Sequence, residues 1–515
     1  MKDKKELKVQ FVSINNVWRY GNIGMDQLAG YLRGKGFNVH IEYFPNKMKA
    51  EEIFEKIWGE YDIYGFSVTS ANYSKVCSLC SKIKEKNAKI ITSIGGGFAT
   101  RYYREIFNET ENIDYITLGD GEIPTEILYN QILLNNGRIE NINHYAVATK
   151  ADTNNKHEFL NTEIKHLPIF DYYERDTEER NSRKVHCIQT KNNICTGNCS
   201  FCTERHGKIA YKDINSIVNQ IELVVKKFHV KKFFFTDDNI LDPNDDYAKQ
   251  RIRELCEKII SLDLHIAMQC YIKAISLKDN EKDHELLDIM KKAGFVEIFV
   301  GLESGNQEDL NLYHKYTTVQ DNYTVMKMLY QHQLIPIIGF IGFNPYSTWD
   351  KIEKNFQFLH DVRCTYLSNY LYCFVVINKY TKLYDQITED GLVESGKERY
   401  VDIAYKFQDN SVREILEYVK ADLIPKLVKL DYELDWVTYS YYEHKIWYEN
   451  IIDISDWLEK KKQENLEVIY KYLGKLFLQH DLVAFKNVEE EFWGFFEKQQ
   501  DDLKKIYDWL IELHY

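Results

Sequence analysis

No apolar run in this 515-residue sequence approaches the roughly 20 residues needed to span a bilayer, so no membrane-spanning helix is expected. Nor is there an excess of positive charge. The net charge of −13 argues against nucleic acid as the main partner, because phosphate binding needs a basic face and the counterions it releases. The N-terminal segment MKDKKELKVQFVSI has a charged start and a short apolar run but no small-residue cleavage site, so it reads as a first strand rather than a signal peptide. The expected compartment is the reducing cytoplasm. There is no repeat of fixed period and no low-complexity tract. With 44% hydrophobic and 28% charged residues, the balance is that of an ordinary soluble globular protein. The length exceeds what a single core usually supports, so two or three domains are expected.

Short β-type runs, KVQFVSI, NVHIEYF, YDIYGFSVT, KIITSIGGG and DYITLGD, alternate with amphipathic helical stretches over residues 1–150. Strand alternating with helix means a parallel sheet. The unit closes with a helix, a polar turn and a strand in NQILLNNGRIENINHYAVATK. Residues 151–182 are polar and have a linker composition. From KVHCIQT the alternation resumes in KKFFFTDDN, LHIAMQCYI, VEIFVGLES, IPIIGFIGF and LSNYLYCFVVIN, which predicts a barrel-like second α/β unit over residues 183–395. Beyond it the β signal disappears. Spacings such as Ile451, Ile454, Trp457 and Leu458 predict a helical C-terminal domain over residues 396–515.

Ten cysteines in a chain expected in a reducing compartment are thiols or metal ligands rather than disulfides. Cys77, Cys80, Cys187, Cys256, Cys270, Cys364 and Cys373 lie mostly in apolar surroundings, where cysteine behaves as a small hydrophobe. Cys195, Cys199 and Cys202 differ. They stand in CTGNCSFC, directly after the predicted strand KVHCIQT and so in a loop at its carboxyl end. Three thiolates are expected to converge there. Soft sulfur ligands select zinc or iron–sulfur, and a structural zinc site would need a fourth ligand, for which His206 lies near enough. The spacing within one loop, at the mouth of a barrel where such folds assemble their active sites, disfavours zinc. Three cysteines would leave one iron of a 4Fe-4S cluster free to chelate the amino and carboxylate groups of S-adenosylmethionine (SAM). An electron passed through the cluster would then break the sulfonium bond and give a 5'-deoxyadenosyl radical.

This CxxxCxxC spacing, with the aromatic Phe201 just before the last cysteine, resembles the signature of the radical SAM superfamily. The resemblance implies a central partial (β/α)6 barrel and an external electron donor such as flavodoxin or ferredoxin, with Phe201 facing the adenine chiefly through its backbone. It extends along the second unit. FFTDDN resembles the family's strand ending in an acidic pair, with Asp237 as a cofactor candidate, and VGLESG resembles its GxES-type segment. Glu303 and Ser304 are thereby implied as SAM contacts. Lys273 stands where relatives often place Arg, and a cation there could pair with the SAM carboxylate. The segment IPIIGFIGFNP, with Gly339, resembles the later strand and glycine loop near adenine, although Asn344-Pro345-Tyr346 departs from the usual Pro-Gly.

In the first unit, YGNIGMD, GKGF, GFSVTS, GGGF and GDGE each fall at a strand's carboxyl end or a helix start, where ligands of open parallel sheets bind. In this order they resemble the Rossmann-like cobalamin-binding domain found in front of many radical SAM enzymes. The motif Asp-x-His-x-x-Gly with its axial His is absent. The resemblance then implies a corrin held by backbone and ribose contacts, with Ser67, Thr69, Ser70, Gly95, Gly96 and Gly97 as candidates. A unit kept for packing or substrate docking is the alternative. A nucleotide reading is weaker, since no GxGxxG opens a helix after the first strand.

If all these cofactors bind, the resemblance implies methylation of an unactivated centre, one SAM methylating cobalt and another supplying the radical. The substrate would be a small molecule or a peptide. A second reading is a peptide epimerase or other peptide-modifying enzyme, in which a thiol, Cys373, returns a hydrogen atom to the substrate radical. A third is a non-catalytic cobalamin or redox sensor, against which the intact cysteine loop argues.

Overall fold

The computed structural model describes residues 3–15, 22–139, 142, 144–150, 185–192, 194–203, 208–364, 373–394, 400–448 and 450–513, apart from the side chains of 427–433, 435, 436 and 511. The expected linker at 151–182 and His206 lie outside them. The chain packs as two compact units, residues 1–192 with 209–232, and residues 193–208 with 233–515.

In the first unit, β1 (Lys8–Asn15), β2 (Asn38–Pro45), β3 (Ile63–Ser67), β4 (Ile91–Gly95), β5 (Tyr115–Thr117) and β6 (Val147–Ala148) alternate with α1 (Ile23–Gly34), α2 (Ala50–Ile57), α3 (Tyr73–Lys86), α4 (Gly97–Glu109) and α5 (Glu122–Asn135). The sheet order is β2-β1-β3-β4-β5-β6, with β6 antiparallel to β5 and the other pairs parallel. Strands of parallel sheets are buried on both faces, which is why they read as unbroken apolar runs. In β1 every residue from Val9 to Ile14 is buried. Phe11, Ile63, Ile91 and Tyr115 of the strands pack with Leu32 of α1 and Leu128 and Tyr129 of α5. The strand order reverses direction at β1 and β3, the place where ligands of such sheets bind. β7 (His186–Ile188) and α6 (Ile214–Phe228) also belong to this unit.

The second unit continues with β8 (Lys232–Phe235), α7 (Asp246–Ser261), β9 (Ala267–Lys273), α8 (Glu281–Ala293), β10 (Phe295–Glu303), α9 (Gln307–Leu312), α10 (Val319–Gln331), β11 (Ile335–Phe340) and α11 (Trp349–Asp361). β10 pairs in parallel with β9 and with β11. The last expected strand, LSNYLYCFVVIN, is only partly described. From Cys373 onward it meets the region after β11 through one parallel bridge, Phe343 to Phe374, supported by hydrogen bonds from the Gly342 and Phe343 N–H groups to the Cys373 carbonyl. The fold is therefore the expected α/β arrangement with a helical C-terminal region.

That region holds α12 (Lys382–Glu389), α13 (Arg413–Tyr418), α14 (Ile424–Trp447), α15 (Ser455–Phe477), α16 (Leu482–Lys486) and α17 (Glu489–Glu512). α15 starts later than the apolar spacing from Ile451 suggests, because Asp453 accepts hydrogen bonds from the Ser455 N–H and the Tyr441 hydroxyl and turns the chain there. Its buried stripe, Leu466, Ile469, Leu473 and Phe477, carries Phe477 onto Phe343 and Phe356. No helix among the described residues is long and apolar enough to cross a membrane.

Gly294 ends α8 at φ +107°, and a Cβ there would overlap the carbonyl oxygen of Ile266. Gly294→Ala is expected to cost about 1–3 kcal/mol in backbone strain alone, with the overlap adding to it. Gly34→Ala, with open space around the added methyl, is the control and should be neutral or slightly stabilising. Unfolding followed by circular dichroism checks both, and equal midpoints for the two variants would contradict this account.

Candidate functional site

All ten cysteines are unbridged, and Cys195, Cys199 and Cys202 are each half-buried. Two contacts lie within their loop. The Gly197 N–H points at Cys195 Sγ at 3.3 Å, and the Cys202 N–H donates to the Cys199 carbonyl at 3.2 Å. Ser200, only 2% exposed, is anchored on three sides. Its N–H donates to the Tyr313 carbonyl at 2.9 Å, its hydroxyl to the Leu312 carbonyl at 2.7 Å, and its own carbonyl accepts from the Leu383 N–H of α12 at 2.8 Å.

At the other end of the loop Asp242, fully buried, accepts from the Thr196 N–H at 2.7 Å, from the Thr196 hydroxyl, and from Lys273 Nζ at 3.1 Å. Burial alone would raise the Asp242 carboxyl. The Lys273 ammonium and the Thr196 donors outweigh it and hold the group below the usual carboxylate range. Lys273, the candidate for the SAM carboxylate, also donates to the Thr196 hydroxyl at 3.2 Å and so braces the same end of the loop. Asp242 itself carried no sequence signal, since an Asp before a Pro reads as an ordinary turn.

Among the described residues, no three His, Cys, Asp or Glu side chains come together to hold a metal ion. The close convergence expected of the three thiolates is thus not seen. A cubane presents a different iron to each ligand and spans more space than one ion. A half-buried loop fixed at both ends, with three soft sulfur donors, fits such a group.

Glu303 closes β10 in the left-handed region, φ +65°, where the register with β11 shifts between Gly301 and Glu303. Its Oε1 lies 2.8 Å from Lys315 Nζ, with the two side chains 13% and 9% exposed. Gly301 and Gly339 face each other across β10 and β11 and make the room: a Cβ on Gly301 would stand 2.8 Å from both Glu303 Oε1 and Lys315 Nζ, and one on Gly339 would stand 3.6 Å from Glu303 Oε2. The fold thus brings Glu303 and Gly339 together. Lys315 escaped the sequence reading, because a single Lys in a polar turn has no signature until the chain folds. Burial raises the Cys199 thiol, and Lys315 is foremost among the charges opposing that.

Phe201 packs edge-on against Tyr313, ring centroids 5.4 Å apart. Asn344, where the family pattern is broken, is fully buried and donates to the Tyr313 hydroxyl at 2.8 Å. Ser304 is also fully buried, and its hydroxyl is committed to Asn355 at 2.8 Å while accepting from the Asn306 N–H at 3.2 Å. Asp237 is 3% exposed just beyond β8, where its charge acts on Cys270. Cys373 is half-buried, and burial followed by the Glu303 charge pushes its thiol up to about 11.

In the first unit, Ser67 and Gly95 are paired across β3 and β4 at the carboxyl ends of those strands, Thr69 and Ser70 are exposed in the loop beyond β3, and Gly97 is exposed at the start of α4. The structure therefore brings all six of these candidates to one edge. Gly96 has φ +102°, and a Cβ there would stand 3.1 Å from the Val68 carbonyl oxygen. Gly95 is needed for packing, since a Cβ would stand 2.7 Å from Thr117 Oγ1. The unforeseen residue is Asn72. It is 1% exposed, donates to the Ile14 and Ser67 carbonyls at 2.7 and 3.0 Å, and accepts from the Thr69 N–H at 2.8 Å. It ties the ends of β1 and β3 to the loop that carries Thr69 and Ser70.

Residues 191–359 match the radical SAM superfamily and residues 17–128 match the B12 binding domain. Among curated proteins, the chain is 25% identical over 349 residues to the anaerobic magnesium-protoporphyrin IX monomethyl ester cyclase of Rubrivivax gelatinosus, covering 65% of this chain and 61% of the relative. The chain thus spans about three fifths of that relative's length. Among solved structures, it resembles the cobalamin-dependent SAM radical enzyme OxsB with aqua-cobalamin and SAM bound, with a TM-score of 0.73, 15% identity, and 98% and 84% of the two chains covered. It also resembles the radical SAM methyltransferase TsrM from Kitasatospora setae, with a TM-score of 0.58, 15% identity, and 74% and 78% covered.

Asp242→Ala is expected to destabilise the protein by about 2–3 kcal/mol, below the figure for a wholly buried pair because Lys273 keeps 15% exposure. Alkylation of Cys195, mapped by mass spectrometry, should also quicken; an unchanged unfolding midpoint and labelling rate would refute the clamp. For Cys373, the raised thiol keeps the thiolate scarce at pH 8. Its alkylation rate should still be climbing between pH 9.5 and 11, where an ordinary exposed thiol has levelled off, and a plateau by about pH 9.5 would contradict the assignment.

Proposed function

This chain belongs to the radical SAM superfamily and carries a B12-binding domain ahead of its radical SAM domain, and from that premise we propose that it is a methyltransferase acting on an unactivated centre of a small molecule or peptide. The radical SAM domain implies a 4Fe-4S cluster and SAM, and the B12-binding domain implies cobalamin. When bound, the cluster and SAM supply a 5'-deoxyadenosyl radical, and cobalamin supplies methyl-group carriage. Radical SAM enzymes need an electron donor and a substrate, and flavodoxin or ferredoxin in a reducing cytoplasm suits the donor's role.

One observation carries this reading: three thiols in a loop anchored through Ser200 and Asp242, with Lys315, ion-paired to Glu303 in the glycine-lined slot, opposing the burial of Cys199. In it, Cys195, Cys199 and Cys202 hold the cluster. Glu303 receives the SAM amino group, and Gly339 and the Phe201 backbone border the adenine. Ser67, Thr69, Ser70 and Gly95 to Gly97 hold the corrin at the ends of β3 and β4. Methyl transfer draws support from the likeness to TsrM, which is a methyltransferase.

A second reading has its own support. A thiol that returns a hydrogen atom must stay protonated, and Cys373, pushed up to about 11 beside Glu303, does. It would serve a peptide epimerase or another peptide-modifying enzyme.

The anaerobically reconstituted full chain should form 5'-deoxyadenosine from SAM under reduction. Replacing Cys195, Cys199 or Cys202 with Ala should lower that by roughly 100-fold or more. With cobalamin present, the protein should show a corrin spectrum and retain label from methyl-labelled SAM. Deoxyadenosine without corrin or label would favour the second reading, under which Cys373→Ala spares SAM cleavage and abolishes product. Neither deoxyadenosine nor corrin would sink both.

A further inference from the structure

Lys315 is delivered to the cysteine loop from a fixed turn. His314 and Tyr316 on either side of it both take left-handed backbone, φ +51° and +53°. The Lys315 N–H closes back onto the Leu310 carbonyl at 3.0 Å. The same turn receives both of the Ser200 donor bonds, at Leu312 and Tyr313, and Ser200 directly follows Cys199. The Lys315 side chain is 9% exposed, and its ammonium rests on Glu303 at 2.8 Å. Burial opposes its charge, but Glu303 first, and then the Cys199 and Cys195 sulfurs, keep it protonated.

We propose that Lys315 is a charge-tuning residue for the cluster site, a buried cation that favours the reduced state of a cluster held by Cys195, Cys199 and Cys202, with Glu303 limiting the effect. The inference rests on the cluster reading above. Reduction adds one electron, drawn from an external low-potential one-electron donor, and hence one negative charge to the cluster. A nearby cation in a poorly solvated site stabilises that added charge, and net charge is among the factors that set iron–sulfur potentials. Glu303, of opposite sign, works against it.

The test is an EPR-monitored redox titration of the full-length, anaerobically reconstituted protein without SAM. Lys315→Met should lower the reduced-to-oxidised ratio at a fixed applied potential about tenfold, a midpoint shift of about 59 mV to the negative for a one-electron couple. Lys315→Arg, which keeps the charge, should restore the wild-type midpoint. Glu303→Gln should move it the other way, and this variant keeps the test alive should Lys315→Met fail to load a cluster. Wild-type midpoints in Glu303→Gln and in any Lys315→Met protein that carries full iron and sulfide would overturn the proposal. A wild-type protein that assembles no inorganic sulfide would instead overturn the cluster reading, a different and recognisable failure.

Discussion

The cysteine loop takes its shape only in part from contacts among its own residues. The hydrogen bonds of Ser200 and Asp242 supply more of that shape from elsewhere in the fold. Ser200 donates twice to the turn after α9 and accepts once from the start of α12, and Asp242 takes both the backbone and the side chain of Thr196. Each bond to a neutral partner contributes only about 1 kcal/mol net, but leaving such buried groups unpaired costs more, so the loop has one favourable conformation. The positions of Cys195, Cys199 and Cys202 follow from that arrangement.

Two of the cations around this loop each have their own carboxylate: Lys273 with Asp242, and Lys315 with Glu303. Their roles differ. Lys273 is tied to the loop through the Thr196 hydroxyl and Asp242, and its charge also acts on Cys199, though less than that of Lys315. Lys315 touches the loop's residues through charge, with its turn held by backbone hydrogen bonds. The left-handed φ of Glu303 and the glycines at 301 and 339 are local costs that make sense only because they set a carboxylate at this spot.

The first unit obeys a similar logic with weaker forces. Its candidates are mostly backbone and small polar groups, which gain position from Asn72 rather than from ion pairs. Gly95 illustrates how a residue flagged for ligand approach can have a packing reason as well, the closeness of Thr117. Both demands fall on strand ends because backbone there leaves the sheet.

The alternation of apolar runs and amphipathic stretches was enough to place β1 to β5 and the helical C-terminal region, because periodic burial writes itself directly into residue order. The cysteine spacing likewise carried the family resemblance unaided, since all three cysteines lie within one loop of the segment that matches the radical SAM superfamily. The surroundings of those cysteines were not legible. Asp242, Lys315 and Asn344 reach the surroundings of this loop from distant points of the chain, Asn72 plays a comparable part for the strand ends of the first unit, and Lys273 and Ser304 bond Asp242 and Asn355. Which cofactor class the chain could serve was therefore decided by local sequence. Which charges surround the cysteine loop was decided by tertiary structure alone, because a lone Lys or Asp gains its meaning only from the neighbours that burial forces upon it.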